Sequence, residues 1–169
     1  RIGRLPVLKM AALLFALSAI ASAVAPDFLT LVVARLVGGL GVGAALIIAP
    51  MYIAELAPAH LRGRMVSFNQ LNIVIGISAA FFSNYLIISL ADSGYAWVEQ
   101  LGIARWNWRW MLGIEALPAF LYLAALYTVP ESPRWLAMRG RDAAAHEVLA
   151  RAVGPAQADV ELRAVKVAL

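Results

Sequence analysis

An all-α membrane protein is the fold class this sequence predicts, with four apolar helical spans and a tail of short helices outside the membrane. Three observations carry it. Hydrophobic residues make up 63% of the 169 positions and charged residues 14%, whereas about a quarter of an ordinary soluble domain is charged. The run from Phe28 to Ala54 (FLTLVVARLVGGLGVGAALIIAPMYIA) holds a single charge. At about 1.5 Å per residue it makes a helix of roughly 40 Å, longer than the roughly 30 Å hydrocarbon core of a bilayer. The basic residues stand between apolar runs rather than in one block, which fits membrane loops and argues against a nucleic-acid partner despite a pI near 9.9.

The elements follow in order. A first span, Leu5–Ala25, carries one charge, Lys9, close enough to its end to reach the headgroups along its methylene stem. Pro26 and Asp27 leave only a tight turn before the second span, Phe28–Leu56, so the two form an antiparallel pair. A polar loop, Ala57–Arg64, precedes a third span, Met65–Ala91. A longer loop, Asp92–Asn107, holds Tyr95, Trp97 and Trp106 and leads to a fourth span, Trp108–Val129, opening on the Trp108 and Trp110 pair expected of a headgroup-level aromatic belt. Two units result: a membrane part over residues 1–130 and, after Pro130, a less hydrophobic tail over residues 131–169. In the tail, Asp142–Ala152 reads as a helix with Asp142 at its N-cap and Gly154-Pro155 as its stop. Gln157–Leu169 reads as a second, with Val160, Leu162, Val165 and Leu169 on one weakly apolar face.

Eleven basic residues, Arg1, Arg4, Lys9, Arg62, Arg64, Arg134, Arg139, Arg141, Arg151, Arg163 and Lys166, fall on one side of these spans, and two, Arg105 and Arg109, on the other. Basic loops stay in the cytoplasm, so both ends of the chain are expected there, as an even number of spans requires. Cysteine is absent, which excludes disulfide and thiolate chemistry. The chain opens on Arg1, and its first apolar run is too long for a signal peptide, so it reads as a piece of a longer protein.

Arg35 stands seven residues inside the second span. An ionised guanidinium in lipid needs a protein or water-filled interior and a partner. That partner must come from another helix, since Glu55 lies about 30 Å further along the same axis. Glu115 enters the fourth span from the same side to a similar depth, and matches Arg35 either by direct pairing or by facing a shared cavity. In lipid, burial favours the neutral form of a carboxyl and a neighbouring arginine the charged form, so an acid that has both can take up and release a proton; a plain salt bridge is the alternative.

Gly38, Gly39, Gly41 and Gly43 lack the spacing, strand and lysine of a nucleotide loop and read as a surface for close helix packing. Pro50 predicts a kink in the same helix. Asn69, Gln70 and Asn72, with Ser78, Ser83 and Asn84, supply uncharged donors and acceptors that suit sugar hydroxyls and, residue by residue, suit interhelix hydrogen bonds still better. Glu55, Arg62, Glu131 and Arg134 mark helix ends on the basic side. Opposite charges there either tie helices together in one state and release them in another, or lie as scattered surface pairs. His60 and His146 read as solvated, and no Ser/His/Asp order, metal spacing or cofactor motif supports an enzyme.

These residues fall into motifs. Arg35-x-x-Gly38-Gly39-x-Gly41-x-Gly43, Pro50-Met51-Tyr52-Ile53-Ala54-Glu55-x-x-Pro58 and Arg62-Gly63 resemble the fourth helix and following loop of the sugar porters of the major facilitator superfamily. Pro130-Glu131-Ser132-Pro133-Arg134-Trp135-Leu136 resembles the signature that ends their sixth helix, and Arg1-Ile2-Gly3-Arg4 the end of their loop between helices two and three. Within the family the nearest likeness is to the bacterial proton-coupled D-xylose porters, in Met51–His60 and in Val66-Ser67-Phe68-Asn69-Gln70. The resemblance covers the whole chain. It implies that the four spans are helices three to six of an N-terminal six-helix bundle, followed by the first intracellular helices.

It further implies a transporter of a xylose- or glucose-like monosaccharide that works by alternating access in a bacterial inner membrane. No cofactor is implied; the partners are the sugar, the proton, the bilayer and the remaining helices of the same transporter. The expected substrate-binding set is Gln70, Ile73 and Ile77: Gln70 matches a glutamine that hydrogen-bonds the sugar, and Ile77 stands where the xylose porters have a second sugar-contacting glutamine and facilitative glucose carriers an isoleucine. Arg35 matches an arginine paired with an aspartate on helix one, and Glu115 an acid associated with proton coupling where facilitative carriers are apolar. Arg4, Glu55, Arg62, Glu131 and Arg134 match the cytoplasmic charge network that stabilises the outward-open state, and Leu5 stands where a second basic residue is usual, which thins it. Proton symport is the expectation. Facilitative uniport and a non-transporting sugar sensor or scaffold on the same fold are the alternatives.

Overall fold

The computed structural model describes residues 2–58 and 60–167, and among them all regular structure is helical. Arg1, Ala59 and Leu169, which figure in the expectations above, lie outside the described residues. Three helices are long and apolar enough to cross a bilayer: α1 (Arg4–Val24), α2 (Phe28–Leu56) and α3 (Arg62–Ala91).

α1 is the hub of the bundle, and its buried side is mostly small: Ala11, Ala12, Ala16, Ser18 and Ala19, with Leu5 and Leu8 near its start. Small residues let two backbones approach, which is how helices associate where water supplies no hydrophobic drive. A methyl on Gly38 would sit 2.3 Å from Ser18 Oγ, and one on Gly41 would sit 2.8 Å from the Ala11 carbonyl oxygen. Gly39 and Gly43 face open space, so half of the glycine run serves this packing. Asp27 starts α2, accepting from the Thr30 N–H at 2.9 Å and its hydroxyl at 3.0 Å. α2 runs unbroken through Pro50, the position at which a kink is expected.

α3 starts three residues before the expected Met65, taking in Arg62 and Arg64, and Ile87 is its one buried residue. An apolar side this open suits a lipid solvent or further helices rather than water. The connection after α3 is ordered. It contains α4 (Ala96–Gln100), and Val98 and Ile103 pack with Ile87 against Ala91 and Met111.

The fourth span departs from the expected single helix over 108–129. It consists of α5 (Asn107–Ile114) and α6 (Ala116–Ala125), interrupted at Glu115, and the helix ends at Ala125. Pro118 explains the interruption: it has no N–H to give the Ile114 carbonyl, and its ring crowds that group. Ala119 N reaches the Glu115 carbonyl only at 3.4 Å.

The tail is a small helical cluster of α7 (Pro133–Met138), α8 (Asp142–Val153) and α9 (Pro155–Val167). Leu136, Ala145 and Val148 form its core, against which Leu162 packs. Arg141 rather than Asp142 is the N-cap residue of α8, and Asp142 lies in the first turn, where its charge suits the helix dipole. α9 starts two residues before the expected Gln157, because Pro155 suits a first helical position. His146 Nε2 pairs with Asp159 at 3.1 Å and Lys166 with Asp142 at 2.5 Å, both across the α8–α9 contact.

Candidate functional site

Two polar clusters stand at opposite ends of the bundle, one towards the aromatic end and one at the basic end. Towards the aromatic end, Arg35 Nη1 donates to Glu115 Oε2 at 2.8 Å and Nη2 to Oε1 at 3.3 Å. Two N–H groups on two oxygens give the planar fork a fixed direction as well as an attraction. Each partner is built in by its own helix. Arg35 follows Ala34, whose carbonyl accepts from the buried Ser18 hydroxyl at 2.6 Å, so α1 fixes the α2 backbone beside the guanidinium. Glu115 sits at the break between α5 and α6. The side chains remain 37% and 34% exposed, so the pair is open on one side rather than sealed in the core.

At the basic end, Glu131 binds backbone, not an arginine. Its carboxylate accepts from Arg4 N at 3.1 Å, from Leu5 N at 3.2 and 3.3 Å, and from Ser132 N at 2.9 Å. The first N–H groups of α1 have no partner within the helix, and the helix dipole favours a negative charge there. Glu55 receives Arg4 Nη2 at 2.9 Å and the buried Ser132 hydroxyl. The Tyr52 hydroxyl donates to the Pro130 carbonyl at 2.6 Å, tying α2 to the segment that follows α6.

The expected charge network is thus gathered only in part. Arg62 donates through Nε to the Ala54 carbonyl at 2.8 Å, closing the last turn of α2, and has no acidic partner among the described residues. Arg134 is exposed and has no ion pair among the described residues. Lys9 is held at the face of the Tyr127 ring, 4.1 Å from its centroid. Ser132, Ser18 and Pro118 belong to these clusters and escaped the sequence reading. The first is a small residue inside a recognised motif, and only Pro118 carried a local signal, a proline in mid-span.

The expected sugar-contacting residues are not drawn together by this chain. Gln70 and Ile77 lie on the exposed surface of α3, and Gln70 makes no hydrogen bond among the described residues. Ile73 lines a groove of about 260 Å³ between α1, α2, α3 and α6, with Asn69, Phe15, Pro50 and Tyr122 also on its wall. Its lining is mostly apolar, with one amide and one phenol.

Comparison with known proteins agrees over nearly the whole chain. The family described as "Sugar (and other) transporter" matches residues 1–169. The D-xylose-proton symporter of Escherichia coli (strain K12) is 40% identical over 184 residues, covering 98% of this chain and 36% of the relative. The arabinose-proton symporter of Bacillus subtilis (strain 168) is 43% identical over 164 residues, covering 96% and 34%. Among solved structures, the E. coli xylose transporter in a partially occluded inward open conformation superposes with a TM-score of 0.86 at 41% identity, covering 99% of this chain and 42% of that one. The chain therefore spans little more than a third of the curated relatives it matches.

Proposed function

Because the chain belongs to the Sugar (and other) transporter family, the sugar porters of the major facilitator superfamily, we propose that it forms part of a monosaccharide transporter driven by a proton gradient. In this reading α1, α2, α3 and the broken α5–α6 helix each cross the membrane, with both ends of the chain on the cytoplasmic side and α7–α9 lying there. Eleven basic residues against two support that orientation. Relatives named as proton symporters for the pentoses xylose and arabinose support a monosaccharide as cargo, and a bacterial cell membrane as the setting.

The observation that carries proton coupling is the Arg35–Glu115 fork at the helix break. A proton on Glu115 removes one charge of the pair and weakens the fork, freeing Arg35 for other partners; loss of the proton restores it. The sugar then needs only to favour one of the two arrangements for its movement to be linked to the proton's. We assign Gln70, Ile73 and Ile77 to this half of the sugar site, the rest coming from other helices of the transporter. Glu131, Glu55 and Arg4 would hold the cytoplasmic ends of α1 and α2 in register while the bundle rocks, with Arg62 closing α2 and Arg134 available to a partner outside this chain.

Full-length transporter in sealed vesicles tests the reading. An imposed pH gradient, acid outside, is expected to drive xylose or glucose above its external concentration. Equilibration without accumulation would make the protein a uniporter and the Arg35–Glu115 fork a plain salt bridge. Failure to move any monosaccharide would remove the transport reading.

A further inference from the structure

The connection between α3 and α5 has three differently coloured sides, although α4 within it is only five residues long. Val98 is 1% exposed and packs inward on the ends of α3 and α5. At about 100° per residue, Trp97 and Leu101 project within roughly 40° of each other on one flank, and Glu99 projects from roughly the opposite flank. Trp97 and Leu101 are 46% and 53% exposed, so their apolar surface is uncovered by this chain. The Tyr95 ring stacks on Trp97, with centroids 6.2 Å apart and planes 12° apart, and widens the same surface. Backbone closes the segment: the Ile103 N–H donates to the Val98 carbonyl at 3.0 Å, and Gly94 and Gly102 take the positive φ values, 70° and 63°, that the two turns require.

We propose that this connection is a membrane-surface anchor, with Tyr95, Trp97 and Leu101 seated in the headgroup region of the leaflet at the aromatic end. The occupant follows from two features. The connection joins the end of α3, a helix long and apolar enough to cross a bilayer, to the start of α5, so it lies where that span would leave the membrane. Indole and phenol rings, with an apolar body and a polar edge, favour that depth. Inward Val98, lipid-side Trp97 and Leu101, and water-side Glu99 then make a wedge that fixes the height of α5, and so of Glu115 at its far end, relative to the bilayer. The inference rests on the membrane reading of α3 and α5.

Site-directed nitroxides in the full-length transporter, in phosphatidylethanolamine–phosphatidylglycerol vesicles, test it. Labels at Leu101→Cys, Glu99→Cys and, as control in mid-α3, Phe82→Cys are exposed to oxygen, which concentrates in lipid, and to a water-soluble nickel chelate. The expected result is severalfold preference for oxygen at Leu101 and Phe82 and for nickel at Glu99. Nickel preference at Leu101 with oxygen preference at Phe82 would place the connection in water and overturn the anchor alone. Protection of Leu101 from both reagents would mean that protein covers it, and would overturn the anchor equally. Nickel preference at Phe82 would instead remove the membrane reading on which it rests.

Discussion

Glu131 occupies the space that a side chain on Gly3 would fill. A methyl built on Gly3 would lie 2.2 Å from Glu131 Oε2 and 2.9 Å from its carboxyl carbon. The bareness of Gly3 and the carboxylate of Glu131 are therefore one device. Residues 128 positions apart in sequence close the same helix end, with Glu131 supplying the acceptors that α1 cannot supply for itself.

Gly3→Ala should displace that carboxylate and leave the N–H groups of Arg4 and Leu5 without partners, at a cost of about 1–3 kcal/mol for each one that stays buried. Thermal unfolding of the full-length protein in detergent should show a clear fall in Tm. Glu131→Gln, which keeps an acceptor oxygen and loses only the charge, should fall less. Equal Tm for Gly3→Ala and wild type would mean that the cap is not made in the membrane.

Ser18 and Gly38 should behave as a coupled pair. Gly38→Ala collides with both Ser18 Oγ and, at 2.8 Å, Ser18 Cβ, whereas Gly41 meets backbone that no side-chain change can move. Ser18→Gly alone loses the bond to the Ala34 carbonyl, about 0.5–1.5 kcal/mol, and roughly 0.5 kcal/mol of helix propensity. The double variant, with the bulk moved from one helix to the other, should be more stable than the sum of the single losses predicts. Strict additivity in a denaturation cycle would show that the two helices are not in contact there.

Asp27 gives a pH dependence with a definite sign. Hydrogen bonds from the Thr30 N–H and hydroxyl hold its carboxyl below the usual value of 3.8. A carboxyl lowered on folding stabilises above its unfolded value and loses that contribution as pH falls through its folded value. The first turn of α2 should therefore stay closed at neutral pH and loosen only below about pH 4, read as a fall in the hydrogen-exchange protection factor at Thr30. Asp27→Asn, which retains an acceptor, should flatten the pH profile, and Asp27→Ala should speed exchange at all pH values.

Much of this was legible in residues and some of it was not, for identifiable reasons. The α2 boundaries follow from the Pro26-Asp27 turn at one end and the polar loop from Ala57 at the other, both local signals. The Arg35–Glu115 pair follows from counting depth along two spans, because a lipid solvent forbids a lone charge and leaves few candidate partners. The partners of Glu131 were not legible, because a carboxylate satisfied by backbone N–H groups leaves no mark in the opposing side chains. Charge and motif mark Arg62 and Arg134 as members of a charge network or of scattered surface pairs. Charge does not say whether an arginine reaches a carbonyl, as Arg62 does, or solvent. The break at Glu115 was legible in Pro118 and went unread, because mean hydropathy passes smoothly through a proline.

Gln70→Ala should weaken sugar binding. A sugar hydroxyl left unpaired in a closed site costs about 1–3 kcal/mol, or roughly five- to 150-fold in Kd. Calorimetry with xylose and glucose on the full-length protein measures it. An unchanged Kd would take Gln70 out of the site and leave Asn69, which lines the groove beside Ile73, as the amide to test next.

The proton reading makes the sharpest demand of Glu115. Glu115→Gln keeps the shape of the side chain and one acceptor for Arg35, but nothing on it titrates. Sugar binding and sugar exchange across vesicles at equal pH should survive within about twofold, while accumulation driven by a pH gradient should be lost, because only the proton-linked step needs the carboxyl. Pro118→Ala separates chemistry from shape. It returns an N–H to the Ile114 carbonyl and joins α5 to α6, leaving the carboxyl in place but changing the bend at which it meets Arg35. Its accumulation should persist with a shifted pH optimum, where that of Glu115→Gln is absent at every pH. Normal accumulation by Glu115→Gln would make the fork a structural salt bridge and move the proton site to a helix outside this chain. A pH optimum unmoved by Pro118→Ala would mean that the break is incidental to it.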